Sequence, residues 1–233
     1  MDVVYVVKQG DRNEELRHSL RSLVNLPHER VWIAGYKPRW VTSVEYVPVH
    51  QCRSKWENST ANLLAACADD GLSDRFAFFN DDFHVVERID AVPVLHGESF
   101  DTLLAAYCNT KSRYANGMRA ARELLASLGH EAPLSYELHV PVVLEKSRVL
   151  ELFDEVARHG TRFSAAAAIA KRTLYGNAWS VGGVLAEDVK VYSPGDRWAV
   201  RGPFVSTTQG SFQGSCGNQL RAMFPNPGPY ETP

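Results

Sequence analysis

The stretch FAFFNDDFHV, residues 76–85, places two adjacent carboxylates directly after an apolar run. Burying ionised groups is unfavourable unless they are paired or hold a cation. Asp81 and Asp82 therefore either surface at once or grip a positive charge. Hard oxygen donors suit Mg²⁺ or Mn²⁺, and Mg²⁺ is characteristically held by one or two carboxylates together with substrate phosphates. A plain turn is the competing reading, because Asn and Asp favour turns, and a second Asp-Asp pair at 69–70 has no comparable setting. Further candidates lie in HQCRSKWENST, residues 50–60. There Arg53 and Lys55 precede a helix start that carries Asn58 and Ser59, and cations beside a helix N-terminus make an anion site. A solvated loop would carry the same residues.

Histidine supplies the remaining acid–base chemistry. His139, within ELHVP, is a candidate general base for an acceptor hydroxyl, because an unperturbed histidine titrates near neutrality; the alternative is a satisfied boundary residue. His84 follows the acidic pair by two positions and would share its side only if the strand continues. Arg162, Lys171 and Arg172 lie on or near a helix, where they either bind phosphate or solvate the surface. Lys8, Gly10 and Asp11, closing the first apolar run, are candidate substrate-binding residues, as is Asn80.

These residues need a frame to hold them. DVVYVVKQ is β-branched from residue 2 onward and reads as a central buried strand ended by Gly10-Asp11. NEELRHSLRSLVNL follows with Leu16, Leu20 and Leu23 at helical spacing and Pro27 closing it. RVWIAGY and SVEYVPV read as two further strands, and this alternation predicts a parallel sheet covered by helices. Residues 50–58 are expected as loop, and STANLLAACADD as a helix capped by Ser59 or Thr60. RFAFF then delivers Asn80-Asp81-Asp82 to a strand's carboxyl end, the edge at which open α/β sheets bind ligands. Helices are expected over 111–128, over SRVLELFDEVARHG, over RFSAAAAIAKRTLYGN and near NQLRAMF. ELHVPVVLEK should be extended, with Pro141 marking an edge or bend. Residues 181–214 read as strands and turns.

The bulk numbers exclude several classes. With 233 residues, 45% hydrophobic content and 22% charged residues, the chain can bury an ordinary core. A net charge of −2 gives no global attraction to nucleic acid or anionic membrane. Cys52, Cys67, Cys108 and Cys216 lie far apart, which argues against zinc knuckles and a disulfide framework and fits a reducing compartment. No run approaches the roughly 20 apolar residues of a membrane helix, and the expected location is cytoplasmic. The chain has no P-loop, no Gly-x-Gly-x-x-Gly after the first strand, no Gly-x-Ser-x-Gly and no His-Glu-x-x-His. A sheet-edge acidic pair with basic neighbours remains, which suits a nucleotide-diphosphate donor.

At this point the chain resembles the Stealth family, which includes bacterial capsular-polysaccharide phosphotransferases and the catalytic part of the lysosomal-enzyme N-acetylglucosamine-1-phosphotransferase. NEELRHSLRSLVNLPHERVWIAGYKPRWV is similar to its second region, with Glu14 to Ser22, Gly35, Pro38 and Trp40 in register. ENSTANLLAACADDGLSDRFAFFNDDFHV is similar to the later part of that region, with Asn58, Ser59, Asn80, Asp81 and Asp82 matching. His139 and Pro141 fit the family's His-x-Pro region. TRFSAAAAIAKRTLY is similar to the helix that follows it, which places the functional arginine at Arg162 or its neighbour. QLRAMFPNPGPYE is similar to the closing stretch. In three places the pattern departs: DVVYVVKQGDRNEEL fuses regions that are ordinarily separate, Ala34 stands where an acidic residue usually precedes the Gly of Gly-x-x-Pro, and Ser206-Thr207-Thr208 replaces an Asn-Asp pair.

The resemblance implies a single GT-A-like domain over 1–233, a Rossmann-type mixed sheet flanked by helices, with residues 1–90 binding the nucleotide sugar and 91–233 the acceptor. It implies a metal-dependent transferase that moves a sugar or a sugar-1-phosphate from a nucleotide-diphosphate sugar to a hydroxyl. Asp81 and Asp82 would hold Mg²⁺ or Mn²⁺, Arg53 and Lys55 would assist on the phosphates, His139 would act as base and Arg162 would steady the transferred oxygens. A glycan is the family's acceptor, and a hydroxymethylated base in DNA is the alternative. A non-catalytic sugar- or protein-binding module and a metal-dependent phosphohydrolase are the competing classes.

Overall fold

Strands buried on both faces read as unbroken apolar runs, and the first strand, β1 (Asp2–Val7), is buried at every position. The computed structural model describes residues 1–10, 12–158, 168–196, 198 and 202–232. After β1 come helix α1 (Glu14–Ser22), strands β2 (Val31–Gly35) and β3 (Glu45–Pro48), helix α2 (Lys55–Cys67), and strands β4 (Arg75–Asn80), β5 (Phe83–Val85) and β6 (Leu95–His96). Helices α3 (Phe100–Ala105) and α4 (Arg113–Ser127), strand β7 (Val142–Glu145), and helices α5 (Lys146–Arg158) and α6 (Lys171–Ala178) follow. The chain continues through strands β8 (Val184–Leu185), β9 (Lys190–Val191) and β10 (Phe204–Thr207) into helices α7 (Gln209–Gln213) and α8 (Ser215–Met223).

The main sheet has the order β3-β2-β1-β4-β7, so β1 is central as its apolar run predicts. β1, β2, β3 and β4 run parallel, and β7 joins β4 antiparallel. The sheet is therefore mixed rather than wholly parallel. Period-two alternation sends the side chains of each strand to opposite faces. Val4, Val6, Phe76 and Phe78 pack with residues of α2, α4, α5 and α6, whereas Val3, Tyr5, Ala77 and Phe79 pack with Leu16 and Leu20 of α1. A second sheet, β5-β10-β9, lies against α1 and carries α7 and α8 on Phe212, Cys216 and Leu220. Residues of the second half thus complete both sheets begun by the first.

Several sequence expectations are corrected. Helix α2 starts a full turn earlier than Ser59 or Thr60, because Ser54 caps it: its side chain accepts from the Glu57 backbone, and the Glu57 carboxylate accepts from Ser54 in return. Residues 55–58 are accordingly helix rather than loop. Of the helix expected over 162–177, residues 168–170 are not helical, α6 begins at Lys171, and 162–167 lie outside the described residues. The helix expected near NQLRAMF is α8, and the residues just before it, expected among strands and turns, form the further short helix α7; Gly214 separates the two, where a Cβ would collide with the Pro194 carbonyl. The four cysteines are free. Among the described residues no helix is long and apolar enough to cross a membrane.

Candidate active site

β1, β2 and β4 end together at one edge of the main sheet, and a cleft of about 530 Å³ opens there. Its walls come from the loops after β1 and β4, from the first turns of α2, from α6, and from β9 and β10. The floor depends on Gly35, which closes β2 with φ +109°. A Cβ there would fall 2.3 Å from the Asn62 amide, 2.5 Å from the Val7 carbonyl and 2.6 Å from the Gln51 amide. The bare backbone lets Gln51 donate to Val7 O at 2.5 Å and Asn62 donate to the same oxygen, so that both side chains line the cleft.

Of the sequence-nominated residues, Lys8, Lys55, Asn58, Ser59, Asn80, Asp81, Asp82 and His139 all line this cleft. Arg53 and Gly10 do not. Arg53 is exposed, and its backbone is tied to the Asn58 amide. Asp11 and Arg162 lie outside the described residues. His84 is not in the cleft: it is fully buried and stacked on Phe212 with ring centroids 6.0 Å apart. Burial draws its pKa down to about 4.

The acidic wall holds Asp81, Asp82 and Glu15. Burial, and then the neighbouring Asp82 charge, push the Asp81 carboxyl up to about 7. Burial likewise raises Glu15, which accepts a hydrogen bond from the Thr207 hydroxyl at 2.8 Å. Asp82 is paired. Its Oδ2 accepts from the Lys190 ammonium at 2.5 Å, and Lys190 also donates to the Ser206 hydroxyl at 3.2 Å and to the Thr207 carbonyl at 2.5 Å. Strand register explains this contact, because Ser206 pairs with Lys190 on one side and with Phe83, next to Asp82, on the other.

The opposite wall is cationic. Lys171 and Arg172 open α6, whose N-cap, Ala170, offers no side-chain acceptor to the first amides. Lys171 donates to the Ser59 hydroxyl at 3.1 Å, and burial, then Arg172, draw its pKa down to about 8. Arg172 donates to the Leu138 carbonyl at 3.0 Å and lies over Phe78 and Phe83 at 5.6 and 5.0 Å, while among the described residues its Nε is buried without a partner. Glu137 accepts from the Thr173 N–H of the same first turn at 3.3 Å and partly balances the two cations, which leave a net positive charge beside the helix N-terminus.

His139 stands at the rim with Asp188. The carboxylate accepts from the His139 backbone N–H and from its Nδ1, both at 2.8 Å. With the carboxylate as acceptor the proton of this bond is on Nδ1, and in the neutral ring Nε2 is the free lone pair. Burial opposes the Asp188 charge, but the hydrogen bonds from His139 outweigh it and lower the Asp188 pKa.

Sequence reasoning missed Glu15, Glu137, Asp188 and Lys190. Glu15 reads as an ordinary first-turn helix acid. Lys190 and Asp188 sit in a segment with weak periodicity, and only the strand pairing brings them to the cleft.

The oxygens around Asp82 are a set that a hard cation would take, and the cation among them is an ammonium. Beside Lys190, the carboxylate oxygens left to a divalent ion are those of Asp81 and Glu15 and Asp82 Oδ1, which among the described residues is buried without a partner. Among the described residues no group of three or more His, Cys, Asp or Glu is placed to hold a metal. With Lys190 in position the described residues form no complete cage for the Mg²⁺ or Mn²⁺ that the sequence suggests, and such an ion would need ligand oxygens to complete its shell.

No protein-family model matches the chain, and no curated protein does. Similarity to Stealth proteins therefore remains a likeness of motifs. Among solved structures, the chain is similar to the galactosyltransferase LgtC in complex with donor and acceptor sugar analogues, at 8% identity and a TM-score of 0.46, covering 82% of this chain and 76% of that one. An active-site mutant of LgtC gives 11% identity, a TM-score of 0.46, and coverage of 82% and 75%.

Proposed function

We propose that the chain is a transferase using a nucleotide-diphosphate sugar, with the donor's phosphates on the cationic wall of the cleft and the acceptor hydroxyl at His139. The observation that supports this most is the pair of largely buried cations, Lys171 and Arg172, in the first turn of α6, lining the same sheet-edge cleft as Asp81 and Asp82. Fixed positive groups are well suited to charge that accumulates on a departing nucleotide. In this reading residues 1–90 supply most of the donor contacts, through Lys8, Lys55, Asn58, Ser59 and Asn80. Residues 91–233 supply the acid–base dyad and the anion site.

The chemistry follows from these groups. Nε2 of His139 takes the proton of the acceptor hydroxyl while Asp188 holds the ring and stabilises the imidazolium. The acceptor oxygen then bonds either to the anomeric carbon, releasing a nucleoside diphosphate, or to the sugar-bearing phosphorus, releasing a nucleoside monophosphate. The first outcome is glycosyl transfer and the second is the sugar-phosphate transfer that the Stealth-like motifs suggest. Lys171 and Arg172 neutralise the leaving group in both. Asp81, protonated part of the time near neutrality, is suited to hydrogen-bond a donor hydroxyl.

A thermal-shift panel of UDP- and GDP-sugars tests the reading, run once with EDTA and once with Mn²⁺. A ligand that binds only the folded state raises the melting temperature. At least one nucleotide sugar is expected to raise it, and Lys171→Ala to abolish the rise. A panel without any shift in either condition contradicts the proposal.

A further inference from the structure

We infer that the Lys190 ammonium takes the place of a divalent cation beside Asp82, so that the cleft handles its ligand without a resident metal. An ammonium has three N–H donors and no acceptor. Here the three have three oxygen partners: Asp82 Oδ2, Ser206 Oγ and the Thr207 carbonyl. The Lys190 side chain is only 8% exposed and that of Asp82 20%. The charge is thus embedded in the wall of the cleft rather than lying across its mouth.

Three features separate this arrangement from an incidental salt bridge. The acceptors are a carboxylate, a hydroxyl and a carbonyl converging on one point, which is the ligand mixture that hard cations select. They come from the β4–β5 connection and from β10, while Lys190 reaches them from β9; the pairing of the small sheet therefore fixes the contact. A divalent ion binding here would also have to displace a buried ammonium and leave it without its carboxylate, which is the unfavourable way to break a buried pair. Because all three N–H groups are committed inward, Lys190 supplies positive charge to the acidic wall but no hydrogen bond to phosphate. Direct contact with phosphate falls instead to Lys171 and Arg172.

The consequence is that Lys190→Met, which keeps the volume and removes the charge, opens a divalent-cation site made of Asp81, Asp82, Ser206 and Thr207. Mn²⁺ alone is the probe, followed by electron paramagnetic resonance in the absence of donor. The wild type is expected to bind Mn²⁺ at least about tenfold more weakly than Lys190→Met, a difference of about 1.4 kcal/mol. Adding Asp82→Asn to that variant should abolish the gain. Equal Mn²⁺ affinity in wild type and Lys190→Met overturns the inference. A second arm needs no variant. In ¹⁵N-lysine spectra of the wild type, the Lys190 ammonium should give a slowly exchanging signal that persists when Mg²⁺ is added, and its loss on Mg²⁺ addition contradicts the inference.

The inference rests on the transferase reading only for what the cleft accommodates, and the two can fail separately. A nucleotide sugar that raises the melting temperature only with Mn²⁺ leaves the transferase reading intact and removes this one. Neither Mn²⁺ binding nor the lysine signal depends on a donor being found.

Discussion

Asp81 and His139 present two different solutions to holding a titratable group in a cleft. Asp81 is desolvated and faces the charge of Asp82, so folding raises its pKa to about 7. Between its ordinary value near 3.8 and that raised value, the folded chain binds more protons than the unfolded chain, and stability falls as pH rises through the window. Asp81→Asn is therefore expected to be more stable than the wild type at pH 8, with the gain fading toward pH 4. Urea denaturation at the two pH values measures it, and a gain that grows on acidification contradicts the assignment. His139 is instead held by a partner: Asp188 accepts from both its backbone and its ring. General-base catalysis contributes about 10²- to 10⁴-fold, so His139→Ala should lower the transfer rate by that order with donor affinity retained. Asp188→Asn should lower the rate less and change its pH profile, which a purely structural contact would not do. Donor-product formation followed by mass spectrometry separates these outcomes.

At the scale of elements, the cleft depends on where strands stop and helices start. Gly35 terminates β2 in a left-handed conformation, with Asn62, Val7 and Gln51 crowding the position a Cβ would take. Gly35→Ala combines backbone strain of about 1–3 kcal/mol with displacement of Gln51 and Asn62. It is expected to lower the denaturation midpoint and weaken ligand binding together. A variant with native stability would show that this edge is not under the constraint described. The same elements explain what was legible in the sequence. β1 and β4 could be read because apolar runs buried on both faces leave an unmistakable pattern, and β4 carried Asn80, Asp81 and Asp82 to the cleft as expected. The start of α2 was misread because Ser54 and Ser59 both look like caps, and only the reciprocal Glu57 contact decides between them. Asp188 and Lys190 were not found because β9 has two residues and gains its position from pairing with β10, a contact between residues far apart in sequence.

For the whole molecule, the C-terminal segment closes the structure over α1. Glu231 is buried, and its carboxylate accepts from Arg21 Nε at 2.6 Å and from Arg17 at 3.0 Å, with Gly228 N–H donating as well. Burial opposes its charge, but Arg21 and its other partners outweigh that and hold its pKa below the usual range. Arg21 additionally donates to the carbonyls of Phe224 and Pro225, fixing the segment onto the helix that carries Glu15 to the cleft. Glu231→Ala leaves two arginines facing each other without their acid. A loss of about 3–5 kcal/mol is the usual result of breaking a buried pair on one side, and because Arg17 is partly exposed, about 2–3 kcal/mol is expected here. Thermal denaturation at pH 7 checks it, and an unchanged midpoint would show that the segment does not brace the fold.

The account rests above all on the cationic wall receiving the phosphates of a nucleotide ligand. Calorimetric titration of UDP and GDP, with EDTA present, into the wild type and into Lys171→Ala and Arg172→Ala measures this most directly. Saturable binding by at least one nucleotide, weakened about tenfold or more in each variant as the loss of a charge-assisted hydrogen bond requires, is the predicted result. Binding that is undiminished in both variants, or no binding of either nucleotide with or without Mn²⁺, contradicts it.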